Sequence, residues 1–293
     1  MNRPMTLRIA QISDTHLTRK PSMFQYNWEI VVEAIRSWAP DLVVCTGDIA
    51  MDGPNTPDDL VYAREQFNRL GAEVWTVPGN HDIGDVHVGH DRVADHFINQ
   101  YAEIFGPDFW VRERKGWIMI GLNAQLAGSG LAGEGAQLEM LREALSVARG
   151  RPVAVFNHKA LHLGEPEADD PPGWTIPLAQ RSALRNLLLE GNVRLYASGH
   201  FHRYREMDDS GMRLLWAPSP AFITNHPKFE RRGGLVKSGF ARLELGPDGS
   251  VTAAFADDNA MVQFDIQNAL NDGGARRKHW NQRLAFQVTR VDA

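Results

Sequence analysis

Cysteine is almost absent from this chain. Among 293 residues only Cys45 is present, inside the apolar run Leu42-Val43-Val44-Cys45. An intrachain disulfide is therefore excluded, and a reducing, cytoplasmic compartment is expected. Long apolar runs are missing too. No segment approaches the roughly 20 residues needed to cross a bilayer, and Met1 to Thr6 is polar and leads into Leu7 to Ile12 without the apolar core of a signal peptide. No membrane association is expected. Positive charge is in deficit: the formal net charge is -5 and the pI about 6.1. Without a global positive field, counterion release does not gather a polyanion, so a nucleic-acid partner would require a local basic patch. There is no internal repeat and no low-complexity tract.

What is present is enough apolar material, 43% of the chain, to bury a large core. A single domain over 1–293 is expected, with residues 7–220 as its working part and 221–293 as C-terminal strands and tail. The first half alternates strand and helix signals. Strands are predicted at Leu7 to Ser13, Leu42 to Thr46, Glu73 to Val77, Trp117 to Leu122, Val153 to Phe156 and Val193 to Ala197. Between them, helical spacing marks Glu29 to Trp38, Pro57 to Leu70, Val93 to Phe105, Gly135 to Ala148 and Pro177 to Leu189. This is an α/β rhythm. After residue 202 it gives way to antiparallel strand signals at Arg213 to Ala217, Gly239 to Leu245 and Val251 to Phe255, read as a second sheet or the far half of one. A helix at Val262 to Leu270 and a last strand at Leu284 to Val291 complete the expectation. Residues 161–177, with Glu165, Glu167, Asp169 and Asp170, form a long acidic loop of the kind that often serves as a lid.

Six polar clusters stand where these strands run out: Asp14-Thr15-His16, Gly47-Asp48, Gly79-Asn80-His81-Asp82, Asn157-His158, Gly199-His200 and His202. Ligands of open α/β sheets bind beyond the carboxyl ends of strands. If those ends meet, Asp14, His16, Asp48, Asn80, His158, His200 and His202 come together, and seven donors suit two metal ions with one carboxylate shared. A carboxylate can bridge two cations about 3.5–4 Å apart, and Asp48 is the bridging candidate. Imidazoles and an amide carbonyl complete the shells without cancelling charge. Two dications less the carboxylates of Asp14 and Asp48 leave two formal positive charges, which a hydroxide and a phosphodiester monoanion would neutralise. Mixed N/O donors without thiolate suit Mn, Fe, Zn or Co rather than an all-oxygen Mg or Ca cage.

In order and spacing, Asp14-x-His16, Gly47-Asp48, Gly79-Asn80-His81-Asp82, His158 and Gly199-His200-x-His202 resemble the motif set of the calcineurin-like metallophosphoesterases, across residues 9–202. The resemblance implies a four-layer α/β (α+β) fold, two packed mixed β-sheets flanked by helices. It also implies a hydrolase in which Asp14, His16, Asp48 and His202 hold one metal and Asp48, Asn80, His158 and His200 the other. His81 would protonate the leaving alkoxide or stabilise the transition state, Asp82 would orient His81, and a metal-bound hydroxide would attack phosphorus. The segment Gly47-Asp48-Ile49-Ala50-Met51-Asp52-Gly53 lacks the arginine usual in phosphoprotein phosphatases, while Gly133-Glu134-Gly135 and Trp216-Ala217-Pro218-Ser219-Pro220 resemble the bacterial cyclic-nucleotide and glycerophosphodiester phosphodiesterases. That branch usually reads His-His-Pro-Pro where this chain has His158-Lys159-Ala160-Leu161.

The expected activity is hydrolysis of a small organic phosphodiester. Rival readings are a phosphomonoesterase or nucleotide pyrophosphatase of the same fold, a nuclease, and an inert metal-binding module; the His81-Asp82 pair argues against the last. Each cluster alone also has a plain reading, since Gly, Asn and Asp favour turns for backbone reasons. Arg203 and Arg205 are candidate phosphate contacts, and Phe24, Tyr26, Trp28 and Trp174 candidate stacking partners for a base. His162 and His226 lie in loops able to reach the site. A homo-oligomer interface stays open at 17–28, 83–100 or 219–232.

Overall fold

A computed structural model describes residues 6–20, 22, 24–87, 91–225, 233–256 and 258–266. In chain order the strands are β1 (Leu7–Ile12), β2 (Leu42–Thr46), β3 (Val74–Val77), β4 (Trp110–Arg114), β5 (Trp117–Gly121), β6 (Val153–Phe156), β7 (Val193–Ser198), β8 (Arg205–Asp209), β9 (Met212–Trp216), β10 (Phe240–Leu245) and β11 (Val251–Ala256). The helices are α1 (Phe24–Trp38), α2 (Pro57–Phe67), the single turn α3 (Asn80–Ile83), α4 (Asp95–Phe105), α5 (Ala132–Val147) and α6 (Leu178–Glu190).

Strands such as Leu42-Val43-Val44-Cys45 read as unbroken apolar runs because both of their faces are covered. In β1 and β2, Ala10, Ile12, Val43 and Cys45 pack outward with Trp28, Ile35, Leu60 and Tyr101 of α1, α2 and α4. Their alternate residues Leu7, Ile9, Leu42 and Val44 pack inward against Trp117, Met119, Phe156, Leu195 and Leu215. The opposite side of that second set of strands, with Ile120, Val155 and Leu214, packs on Leu141, Leu145 and Leu188 of α5 and α6. The result is four layers: helices, sheet, sheet, helices.

The first sheet has the order β11-β10-β1-β2-β3 and the second β4-β5-β6-β7-β9-β8. In the first sheet β1, β2 and the edge strand β3 pair in parallel while β10 and β11 join antiparallel; in the second the central β5, β6, β7 and β9 pair in parallel and the edges β4 and β8 antiparallel. The late strands thus do not form a sheet of their own. β9 lies parallel to β7, whereas β10 and β11 extend the first sheet from β1. Two edge strands, β4 and β8, carry no sequence signal, because residues such as Glu113 and Glu206 put charge on their open side.

Two further expectations change. Helix α1 starts at Phe24 rather than Glu29, so Phe24 and Trp28 are buried helix residues and Tyr26 is exposed on its outer face. Trp28 packs on Phe67 and is not placed to stack on a base. Residues 262–264 are not helical, and Asp265 makes a bridge to Ile223; the rest of that expected helix and the strand at Leu284 to Val291 lie outside the described residues. Among the described residues, no helix is long and apolar enough to cross a membrane.

Candidate active site

All six clusters stand at one edge, beyond the carboxyl ends of β1, β2, β3, β6 and β7. The loops after β1 and β2 are zipped together: Asp14 N–H donates to Gly47 O, His16 N–H to Asp48 O and Leu17 N–H to Ile49 O, all at 2.9–3.0 Å. The two sheets are joined at this edge by Gln11 Nε2, which donates to Ser198 O at 3.1 Å. The backbone there is strained. Asp14 (φ 54°), His16 (44°), Asp48 (49°), His200 (70°) and His202 (52°) all occupy the left-handed region, which non-glycine residues adopt at a cost and retain at functional sites. Two glycines permit the approach: a Cβ on Gly79 would overlap Asp48, and one on Gly199 would overlap Ser13 and Asp14.

The side chains form two donor sets. In the first, His16 Nε2 lies 3.3 Å from His202 Nε2, and His202 Nε2 lies 3.4 Å from Asp14 Oδ1. In the second, His158 Nε2 is 3.1 Å from both Asn80 Oδ1 and His200 Nδ1. Asp48 stands between the sets, with Oδ1 3.4 Å from His158 Nε2 and Oδ2 3.9 Å from His16 Nε2. All seven sequence-predicted ligands are therefore brought together.

Backbone carbonyls fix the tautomers. His158 Nδ1 lies 2.8 Å from Thr46 O, His202 Nδ1 2.8 Å from Phe222 O, and His200 Nε2 2.9 Å from Gly173 O. A carbonyl only accepts, so each of these nitrogens carries the proton and the inward one presents its lone pair. Lone pairs facing each other at 3.1 Å, as on His158 and the half-buried His200, repel unless a proton or a metal cation lies between them. The donor chemistry fits divalent metal ions held by imidazole and carboxylate, each imidazole braced by an outer partner.

The sequence from residue 7 to residue 204 matches the family model described as calcineurin-like phosphoesterase. The chain belongs to that family. Over 260 residues, 84% of this chain and 88% of the relative, it is 28% identical to the 3',5'-cyclic adenosine monophosphate phosphodiesterase CpdA of Escherichia coli K12. Over 226 residues, 73% and 78% of the two chains, it is 26% identical to the probable glycerophosphodiester phosphodiesterase GpdQ of Arcobacter nitrofigilis. The fold matches that of a dimetal phosphatase from Danio rerio with a TM-score of 0.54 at 15% identity, covering 86% of this chain and 99% of that one.

In this calcineurin-like phosphoesterase His81 sits beside the donor sets. One of its ring nitrogens lies within 4.8 Å of donors from His16 and Asp48, and its ring stands edge-on to that of His16 at 4.6 Å. Its backbone N–H donates to Asp48 Oδ1 at 2.8 Å, while its Nδ1 lies 2.7 Å from Met51 O. Met51 O, rather than Asp82, is thus the partner that orients the ring. The Asp82 carboxylate accepts from the N–H groups of Ile49, Ala50 and Gly79, tying the loops after β2 and β3 together. This corrects the catalytic role expected for Asp82.

Burial and close charged neighbours shift the groups of the site in opposite directions. Burial raises Asp14 above the usual carboxylate range, and burial with the neighbouring Asp48 raises Asp82 to about 7. Burial lowers His16, in the former case well below its ordinary value, and His202 too. Burial would also lower His158, but the carboxylates of Asp48 and Asp14 outweigh it and push the imidazolium up to about 9. Asp48, although buried, is held well below the carboxylate range by His158 and His81.

The other candidates lie elsewhere. Arg203 donates to Gly233 O and Thr224 O, and Arg205 donates to Leu163 O and stacks on Trp216, so both brace loops. Buried His162 pairs with Asp209 rather than facing the donor sets. The Trp174 ring lies against Phe201. His226 lies outside the described residues. Lys159, which departs from the branch's usual motif, is buried and ion-paired with Asp85 at 2.8 Å. Sequence reasoning missed Met51, Gly173, Thr46 and Phe222 because they act through backbone carbonyls. It missed the Phe222 ring, stacked 4.8 Å from His16 and 4.2 Å from His202, because a single phenylalanine in a loop has no pattern.

Proposed function

We propose that this phosphoesterase hydrolyses a small organic phosphodiester, of the cyclic-nucleotide or glycerophosphodiester kind its relatives are named for, at a centre holding two metal ions. The observation that carries this reading is the position of Asp48, whose two oxygens face different donor sets. Asp14, His16, Asp48 and His202 would hold one ion; Asp48, Asn80, His158 and His200 would hold the other, with Mn, Fe, Zn or Co suited to the donors. When bound, the two ions supply Lewis acidity at phosphorus and make water nucleophilic near neutral pH.

The chain's own residues do the rest. The Nδ1–H of His81 is fixed on Met51 O, so it is as the imidazolium, protonated at both nitrogens, that His81 gives its Nε2 proton to the leaving alkoxide and returns to the Nδ1–H tautomer. Asp82 holds the His81 turn against the loop after β2 through its three N–H bonds. Lys159, Arg203 and Arg205, the cations next to ligands in sequence, are engaged with Asp85 and with loop carbonyls. That engagement favours a monoanionic diester over a dianionic monoester, and the net charge of -5 disfavours a nucleic-acid substrate.

The test is a rate comparison in Mn²⁺ over bis(p-nitrophenyl) phosphate, p-nitrophenyl phosphate, cyclic AMP and glycerophosphodiesters. Diesters are expected to turn over fastest; a preference for the monoester overturns the reading. Asp48→Asn is expected to lose metal and turnover together, and full turnover in that variant removes the bridging assignment.

A further inference from the structure

The acidic segment 161–177 looks in sequence like a lid, yet in the structure it is strapped down from below. Arg181, near the start of α6, is 1% exposed. A buried guanidinium is stable only when its donors are satisfied, and every partner of this one lies in the acidic segment. Nε donates to Ile176 O, Nη1 to Pro166 O and Ala168 O, and Nη2 to Thr175 Oγ1, with Asp170 Oδ2 at 3.0 Å. Asp170 ties the segment further by accepting from Leu163 N–H and Thr175 Oγ1. Such a segment is a strut.

Its tip reaches the donor sets. Gly173 is in the left-handed region, φ 82°, and its carbonyl accepts from His200 Nε2 at 2.9 Å. That bond aims His200 Nδ1 at His158 Nε2, 3.1 Å away. The His87 side chain stands near the tip, where a Cβ on Gly173 would meet it. The backbone N–H of His87 donates to Asp85 Oδ1, the oxygen that also receives Lys159 Nζ. Lys159 directly follows His158. The Lys159–Asp85 pair thus anchors the residue after one donor of the second set, while the Gly173 carbonyl holds another, His200.

We propose that Arg181 is a positioning residue for the second metal, acting through the Gly173 carbonyl that fixes the tautomer and angle of His200. The proposal rests on the two-metal reading above. Outer partners of metal-bound histidines typically govern about 10–100-fold in metal affinity. Loss of the strut removes one such partner from the second set and none from Asp14, His16 or His202.

The experiment is a calorimetric titration of the metal-stripped full chain with Mn²⁺, with circular dichroism and the metal-free melting midpoint recorded in parallel. The wild type is expected to show two binding events. In Arg181→Met the tighter-retained event should be unchanged and the other weakened about 10–100-fold. Because loss of a buried guanidinium can unfold the region, Thr175→Val and Asp170→Asn, which each remove one of its partners, provide a second route; both should weaken the same event by a smaller factor. Wild-type affinity at both events in all folded variants overturns the proposal. Equal weakening of both events also overturns it, because the role is then general support. A single event in the wild type overturns the two-metal reading itself, and is thereby distinguished from failure of the strut.

Discussion

A histidine acts as an acid or a base through whichever nitrogen its surroundings leave available, and at His81 the Met51 carbonyl makes that choice. His81→Ala is accordingly expected to keep its metals and to lose about 10²–10⁴-fold in rate on diesters with poor leaving groups, with a smaller loss on p-nitrophenyl esters. Metal analysis beside the kinetics checks this, and a parallel loss of metal would make His81 a ligand. At this scale the sequence was informative about side chains and silent about main chain. Asp14, Asp48 and His158 announce themselves because such polar clusters recur in order, each where an apolar strand ends, although any one alone reads as a turn. Met51, Thr46, Gly173 and Phe222 do not, because a carbonyl is the same atom in every residue. Asp82 was misjudged for a related reason: its partners are the N–H groups of Ile49, Ala50 and Gly79, and no spacing rule identifies them.

Elements buried on both faces were the most legible, and those with an open face the least. β2 and β6 are apolar throughout and could hardly be missed, whereas β4 and β8 alternate with charge at the sheet edges. The first turns of α1 escaped notice because Gln25, Tyr26 and Asn27 interrupt the apolar spacing; Asn27 is in fact buried, donating to Pro220 O and Val262 O. Between elements, the Lys159–Asp85 pair joins the loop after β6 to the loop after α3, with side chains 1% and 3% exposed. Burial holds the Lys159 ammonium below its ordinary value against the pull of Asp85. Removing one partner of such a pair strands the other charge, so Lys159→Met is expected to cost about 3–5 kcal/mol in urea unfolding. The Lys159→Met/Asp85→Asn double variant should recover part of that. A single variant as stable as the wild type would show that water reaches Asp85.

For the molecule as a whole, the donor sets straddle the seam between the sheets. Asp14, His16, Asp48 and Asn80 follow strands of the first sheet, and His158, His200 and His202 follow strands of the second. Metal addition is therefore expected to raise the unfolding midpoint, adding about 2.7 kcal/mol of stability per site at a hundredfold excess over the dissociation constant. Acid stability has a separate anchor at the far edge. Asp209, at the end of β8, is partly desolvated, but Arg185 of α6 and His162 hold its carboxyl below the ordinary value. The unfolded chain then binds more protons than the folded one. The stability Asp209 contributes is complete above its unfolded pKa of about 3.9 and disappears as pH falls through the folded value. Urea midpoints measured from pH 5 to pH 3 should fall less steeply in Asp209→Asn than in the wild type; coincident slopes would deny Asp209 this part.

The pairing of β1 with β10, and of the Asp14 loop with His200, has a consequence for how the protein is made. His200 N–H donates to Asp14, and β1 lies beside Phe240–Leu245. Contacts so distant along the chain form late in folding. During synthesis the amino-terminal strands must wait with an uncovered edge and half a set of donors until more than two hundred residues have emerged. The active site is thus among the last features of the molecule to exist, and a nascent chain that has not yet released His200 and His202 cannot complete either donor set.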